Sequence, residues 1–273
     1  MIKVKSWKEF SVAVRRRETP FYEFLFRLAK CVRILSFPCV RPLHSILYAE
    51  WSARTSLWHN FWRIAYYEPM FKSQCASVGS GFRMEYAGHR IAEISGDLQL
   101  HIGANVTIFD NTAFAGLKIL DKPELHIGDD TYIGPFVRIA VGRKVTIGHH
   151  CLITSRLITD NPGHSFKNVL SRLESSGGSP APEDIRPVAI GDFCFLPLDT
   201  FVYPGVTVGD GVLARVGTHI NRDVPPFCLV AGNPARIVRK LSIPPRLMEI
   251  VGRERYESYL AAHQELNVDE NGR

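Results

Sequence analysis

Long apolar runs are missing from this sequence of 273 residues. Charges interrupt every 18-residue window of its most apolar segment, residues 20–37, which argues against a membrane-spanning helix there. Paired cysteines are missing too. Cys31, Cys39, Cys75, Cys151, Cys194 and Cys228 stand far apart, with no CxxC and no Cys/His finger spacing. That argues against a disulfide framework or a structural zinc site, and favours a reducing cytoplasm. The N-terminus offers no apolar core followed by a small-residue cleavage site, so no signal peptide is expected. Hairpin chemistry is scarce: residues 91–230 contain no Asn-Gly and no sustained period-two alternation, which disfavours ordinary antiparallel folds.

Charge is present but uneven. The net charge is +6, yet residues 1–72 hold 13 Lys and Arg against 5 Asp and Glu, leaving −2 for the remainder. An anionic surface is the partner this implies, and for the N-terminal segment only. Nucleic acid is disfavoured, because the basic residues sit among bulky apolar ones. Residues 20–37 are predicted to form an amphipathic helix, with Glu23, Arg27, Lys30 and Arg33 on one stripe. A second helical pattern aligns Leu57, Trp58, Phe61, Trp62 and Ala65. All four tryptophans (Trp7, Trp51, Trp58, Trp62) fall in this region. Two compatible readings follow: an interfacial membrane anchor, or a helical cap or subunit contact for the domain that comes next.

From about residue 91 a period of six takes over. Ile190, Leu196, Val202, Val208, Ala214 and Ile220 are spaced six apart; Ile102, Ile108, Phe114, then Ile127, Ile133, Ile139, then Ile147, Ile153 repeat it with interruptions. Such a period marks a β-helix. Three short faces make one turn, and each face with its corner takes six residues. The aliphatic residue points into a narrow interior, and a glycine often follows it, where the corner bends sharply. No coil buries its own core, so coils must stack. The predicted architecture is mainly β: a left-handed parallel β-helix of roughly five to six coils over residues 91–240. It carries a helical extension over 1–90 and a short C-terminal helix and tail over 241–273. Regularity breaks between Thr159 and Pro187, where Ser175-Ser176-Gly177-Gly178-Ser179-Pro180 is loop chemistry. A loop of that length in a compact domain is usually functional.

The pieces Ile158-Thr159-Asp160-Asn161-Pro162-Gly163-His164, Asp184-Ile185-Arg186-Pro187-Val188-Ala189-Ile190-Gly191-Asp192, Pro204-Gly205-Val206-Thr207-Val208-Gly209 and Val230-Ala231-Gly232-Asn233-Pro234-Ala235-Arg236 occur in this order. Together they resemble the hexapeptide-repeat O-acetyltransferases, nearest to sugar and polysaccharide members such as the maltose and galactoside acetyltransferases. The resemblance covers residues 95–240. It implies a homotrimer, acetyl-CoA as acyl donor, no metal, a sugar or glycolipid acceptor, and an active site between adjacent subunits. Cell-surface polysaccharide or glycolipid synthesis at the inner membrane face is the expected setting.

A sugar hydroxyl needs a base before it can attack a thioester, and histidine has the suitable pKa. His164 opens the long loop and falls where the resembled family places its catalytic histidine. Asp160, four residues earlier, is placed to orient the imidazole or bind acceptor; initiating the Asn-Pro-Gly turn is its other reading. Direct transfer is expected, with Cys151, Cys194 and Cys228 as core or corner residues rather than acylated nucleophiles. For coenzyme A, the resemblance implies Gly217, Thr218, Asn233, Pro234, Ala235 and Arg236, with Arg236, Arg239 and Lys240 meeting the nucleotide phosphates. Two stretches depart from the family: Phe195-Leu196-Pro197 and Arg215-Val216-Gly217. They leave open a second class, a trimeric β-helix scaffold that has lost catalysis. A third, a zinc enzyme like the γ-class carbonic anhydrases, is suggested by His149-His150. It lacks the second histidine a few residues on, where Thr154 and Ser155 stand. His101 and His126, each in Leu-His-Ile-Gly, are expected to stack on one outer face.

Overall fold

Each aliphatic residue of the strict run points inward from one of three walls. In the computed structural model, which describes residues 6–86, 91–118, 120, 122–164, 170 and 180–265, Ile190 and Val208 lie in the first sheet. Leu196 and Ala214 lie in the second, and Val202 and Ile220 in the third. The sheets have six, eight and six strands, all pairing in parallel except the last two strands. Register keeps the inward residues in columns. Ile127, Ile147, Ile190 and Val208 stack on the first wall. Ile108, Ile133, Ile153 and Leu196 stack on the second. Phe114, Ile139, Ile158, Val202 and Ile220 stack on the third. All are buried and join one core. This is the left-handed parallel β-helix expected from the period.

The corners are built differently from the sequence expectation. Gly103, Gly128, Gly148, Gly191 and Gly209 do not occupy the left-handed region. They are glycine because coils approach closely there. A Cβ on Gly148 would collide with the Asp192 carboxylate and the Gly191 carbonyl. The left-handed residues come two positions later, at Asn105, Asp130, His150, Phe193 and Gly211; Phe227, two after Pro225, takes the same conformation. Between them runs a ladder. Ala104 N–H donates to Asp129 Oδ1 (2.6 Å), Asp129 N–H to His149 Nδ1 (2.9 Å), His149 N–H to Asp192 Oδ1 (2.7 Å), and Asp192 N–H to Asp210 Oδ1 (2.7 Å). Each corner N–H would otherwise be an unsatisfied donor.

Coiling begins at Ser77, ahead of the regular pattern. Val78 and Met84 take the first two inward places, in register with Ile102 and Ile108, but the six-residue interval then breaks before Ile94, which pairs with Phe114. A helical cap closes this end. The π-helical turn Arg63–Tyr67 leads into a short helix, Glu68–Lys72. Phe71 is buried, stacked on Phe82 at 5.4 Å and tilted against Phe114. Glu68 accepts the Met84 N–H (2.8 Å) and pairs with Arg63.

At the other end, the single short helix expected within 241–273 is two helices, Leu247–Val251 and Arg253–Glu265, because Gly252 takes φ 82° between them. Arg255 reaches Asp192 (2.6 Å) and Asp210 (3.0 Å), and Tyr259 donates to Asp210 (2.7 Å). Burial opposes charge on Arg255, but the two carboxylates outweigh it and raise its pKa. The polar tail and Ser175–Ser179 lie outside the described residues.

The chain divides into two units, Met1–Leu57 and Trp58–Arg273. Three helices begin in the first: α1 (Trp7–Arg16), α2 (Pro20–Ile34) and α3 (Arg41–Trp62), the last running past the boundary. Ser6 and Thr19 cap the first two with hydroxyl acceptors, and Pro20 suits the first turn. The helix expected to run to residue 37 ends at Ile34, since Pro38 keeps Phe37 out of the helical region. Ala13 and Tyr22 are buried between α1 and α2. Phe21, Phe24, Leu28, Val32 and Leu35 form one exposed stripe, and no residue of α3 is buried. Among the described residues no helix is long and apolar enough to cross a membrane.

Candidate active site

The long loop leaves the third sheet at the end of Leu157–Thr159 and returns before Val188–Ile190. Its neck is closed by Arg186 N–H donating to the Asp160 carbonyl (2.8 Å). Asp160 is fully buried beneath that neck. Its Oδ1 accepts from Gly142 N–H (2.6 Å), and its Oδ2 from Arg143 (2.6 Å) and Lys144 (2.8 Å). The Asp160 side chain thus turns to the preceding coil, where it satisfies three successive backbone donors of the bend before Lys144–Ile147. Asn161 caps the turn itself: its Oδ1 accepts from Gly163 N–H (3.0 Å), and its Nδ2 donates to Thr159 Oγ1 (2.7 Å). His164 follows this fixed turn and is exposed. Residues 165–169 and 171–179 of the loop lie outside the described residues.

Most of the residues assigned to coenzyme A come together. Gly217 and Thr218 form the corner before His219–Ile220 in the third sheet. Gly217 takes φ +75°, and an added Cβ would meet no atom within 4 Å, so this corner is open. Thr218 is buried, donating to the Arg215 carbonyl. The turn Asn233-Pro234-Ala235 lies against the same strand: His219 N–H donates to Gly232 O (2.9 Å) and Ala235 N–H to His219 O (2.8 Å). Arg215 and Val216 are exposed, so their bulk does not fill the open corner. Pro197 is buried, with its carbonyl accepting from Thr200 N–H (3.2 Å).

The three basic residues do not act alike. In the final antiparallel pair, Arg236 lies opposite Ala231 and Arg239 opposite Leu229, with a register shift between Leu229 and Val230. The shift puts Arg236 and Arg239, three apart in sequence, on the same outward face. Lys240 lies opposite the buried Cys228 instead. Sequence spacing alone would have separated the two arginines.

His164 and the Gly217 corner are not brought together within one chain. The loop springs from the trailing edge of the third sheet. Gly217 and Thr218 precede the leading edge of the same sheet, two coils on, which is about 10 Å along the axis.

The remaining candidates have other duties. His149 Nδ1 is an acceptor in the corner ladder, and His150 stacks on Phe193 at 5.1 Å. His101 stacks on His126 at 4.5 Å, as expected from their shared context. Among the described residues no three His, Cys, Asp or Glu side chains converge as a metal site would require. Cys151 and Cys194 donate to the Gly191 and Gly209 carbonyls (3.1 and 3.2 Å). Cys228 is also buried, and burial raises its thiol pKa, which disfavours a thiolate nucleophile.

Comparison with known proteins gives the same reading of the fold. No family model matches the chain. It is 28% identical over 139 residues to the candidate colanic acid biosynthesis acetyltransferase WcaF of Escherichia coli K12, covering 51% of this chain and 68% of that protein. It is 28% identical over 164 residues to the candidate lipopolysaccharide biosynthesis O-acetyl transferase WbbJ of the same strain, covering 57% and 79%. Among solved structures, an N-acyltransferase from Bacillus cereus, AntD, crystallised with dTDP and 3-hydroxybutyryl-CoA, aligns with a TM-score of 0.50 at 17% identity. It covers 72% of this chain and 96% of that one.

Proposed function

We propose that this chain, a relative of the hexapeptide-repeat O-acetyltransferases, transfers an acetyl group from acetyl-CoA to a sugar hydroxyl in cell-surface polysaccharide or glycolipid synthesis. The observation that carries the reading is the pairing of an open, unobstructed Gly217 corner with Arg236 and Arg239 on one outward face beyond it. Those are the features a pantetheine arm and nucleotide phosphates require. His164 takes the proton from the acceptor hydroxyl. The oxygen attacks the thioester carbonyl, the carbon–sulfur bond breaks, and the imidazolium returns its proton to the departing thiolate. Asp160 is a positioning residue: it fixes the base from which His164 springs. The site is completed between neighbouring subunits of a homotrimer, because the two halves lie at opposite edges of one sheet. Exposed Phe136, Leu198 and Val216 at corners between the second and third sheets supply an apolar contact strip for that assembly.

The direct test is thermal stability with saturating acetyl-CoA. A ligand that binds only the folded state at about 100 times its Kd stabilises by about 2.7 kcal/mol, an increase in Tm that a melting curve resolves. No shift would favour a scaffold without catalysis.

The N-terminal unit belongs at an anionic membrane surface on the cytoplasmic side. Its exposed apolar stripe on α2 is backed on the opposite face by Arg27, Lys30 and Arg33, and residues 1–57 hold 11 Lys and Arg against 4 Asp and Glu. Deleting residues 1–57 should abolish sedimentation with phosphatidylglycerol vesicles and leave the melting temperature of the β-helix unchanged. Deleting residues 1–72 should instead yield insoluble protein, because it removes Phe71 from the capped end. Vesicle binding that survives the shorter deletion would place the contact elsewhere.

A further inference from the structure

The outer face of the third sheet carries a groove of about 360 Å³. Its floor exists because outward positions there are small: Ala113 and Ala115 pair with Arg138 and Ala140 on the next strand. Corresponding outward positions elsewhere are bulky, such as His101 and His126 on the first sheet or Tyr132, Leu152 and Phe195 on the second. One wall is Leu157 and the ring of Phe201, which is braced by stacking on His219 at 4.5 Å. Arg138 and Arg156 stand at the leading edge on successive coils, and neither has an ion-pair partner among the described residues. Glu93 lies across the floor. The groove shares the strand Leu157–Thr159 with the loop that presents His164.

We infer that this groove is the acceptor site and that it selects an anionic sugar, one bearing a phosphate or carboxylate about one pyranose away from the acetylated hydroxyl. The inference rests on the acetyltransferase reading above. Two guanidinium groups lining one groove, neither ion-paired among the described residues, supply the planar donors suited to either anion. The Phe201 ring offers an apolar face for pyranose C–H groups, and Glu93 accepts hydroxyl protons from the other side. The volume lies at the lower end of the range for small-ligand pockets, which suits one or two sugar rings.

The test is equilibrium binding to the full-length protein with three probes: α-glucose 1-phosphate, glucuronate and methyl α-glucoside. At least one anionic probe should bind more tightly than the neutral glucoside, and which one does so separates a phosphate source from a carboxylate source. Combining Arg138→Ala with Arg156→Ala should weaken the preferred anionic probe by about tenfold to a hundredfold, the range for charged hydrogen bonds. It should leave the melting temperature and the acetyl-CoA shift intact. Ala140→Trp, which fills the floor and keeps both arginines, should exclude all three probes. The inference is overturned if the double arginine variant binds the anionic probes as the wild type does. It is equally overturned if the wild type binds neither anion more tightly than the glucoside. Failure of acetyl-CoA to stabilise the wild-type protein would instead sink the acetyltransferase reading itself.

Discussion

Replacing His164 with alanine should lower the transfer rate by about two to four orders of magnitude, the span expected when a general base is lost. The fold should be untouched, since the side chain is exposed beyond a turn that Asn161 holds. Acetyl-CoA should still raise the melting temperature, because the Gly217 corner and the paired arginines are elsewhere. Turnover equal to the wild type would remove His164 from the mechanism. The same variant tests the subunit arrangement. Chains carrying His164→Ala can be dissociated and reassembled with chains carrying Arg236→Ala and Arg239→Ala. If the site lies between subunits, about a quarter of randomly formed interfaces pair an intact histidine with intact arginines. Activity should then appear in a mixture whose parents both lack it. A mixture as inactive as its parents would put both halves of the site in one chain.

How much of this was legible beforehand depends on what each feature is made of. The later coils were readable because Ile190 to Ile220 keep the six-residue interval without a break, and inward packing alone enforces it. The first coil was not, because its only six-residue step, Val78 to Met84, is followed by a longer one to Ile94, and a single step does not make a repeat. Glycine at the corners was visible, but its cause was not. The pattern shows that a small residue is needed; only stacked coils show that the Asp192 carboxylate occupies the space a Cβ on Gly148 would take. The common face of Arg236 and Arg239 depends on a bulge, which leaves no mark in a hydrophobic pattern. The groove on the third sheet was equally hidden, since Ala113, Ala115 and Ala140 become neighbours only through register across coils.

Asp160→Ala should cost about 3–5 kcal/mol of stability, because it strands three backbone donors in a buried bend. For a unit of this size that is a drop of about 6–20 °C in melting temperature. Activity should fall with it, even well below the new melting point, since the neck that presents His164 is no longer held. Asp160→Asn keeps one carbonyl acceptor and should fall between the two. The pairing of readouts separates two roles the sequence left together. An aspartate that only oriented the imidazole would lose activity and keep its melting temperature when truncated. An aspartate that anchors the coil loses both, whereas His164→Ala loses activity alone. If Asp160→Ala melts with the wild type, the three short hydrogen bonds are not what holds the loop, and its role returns to the imidazole.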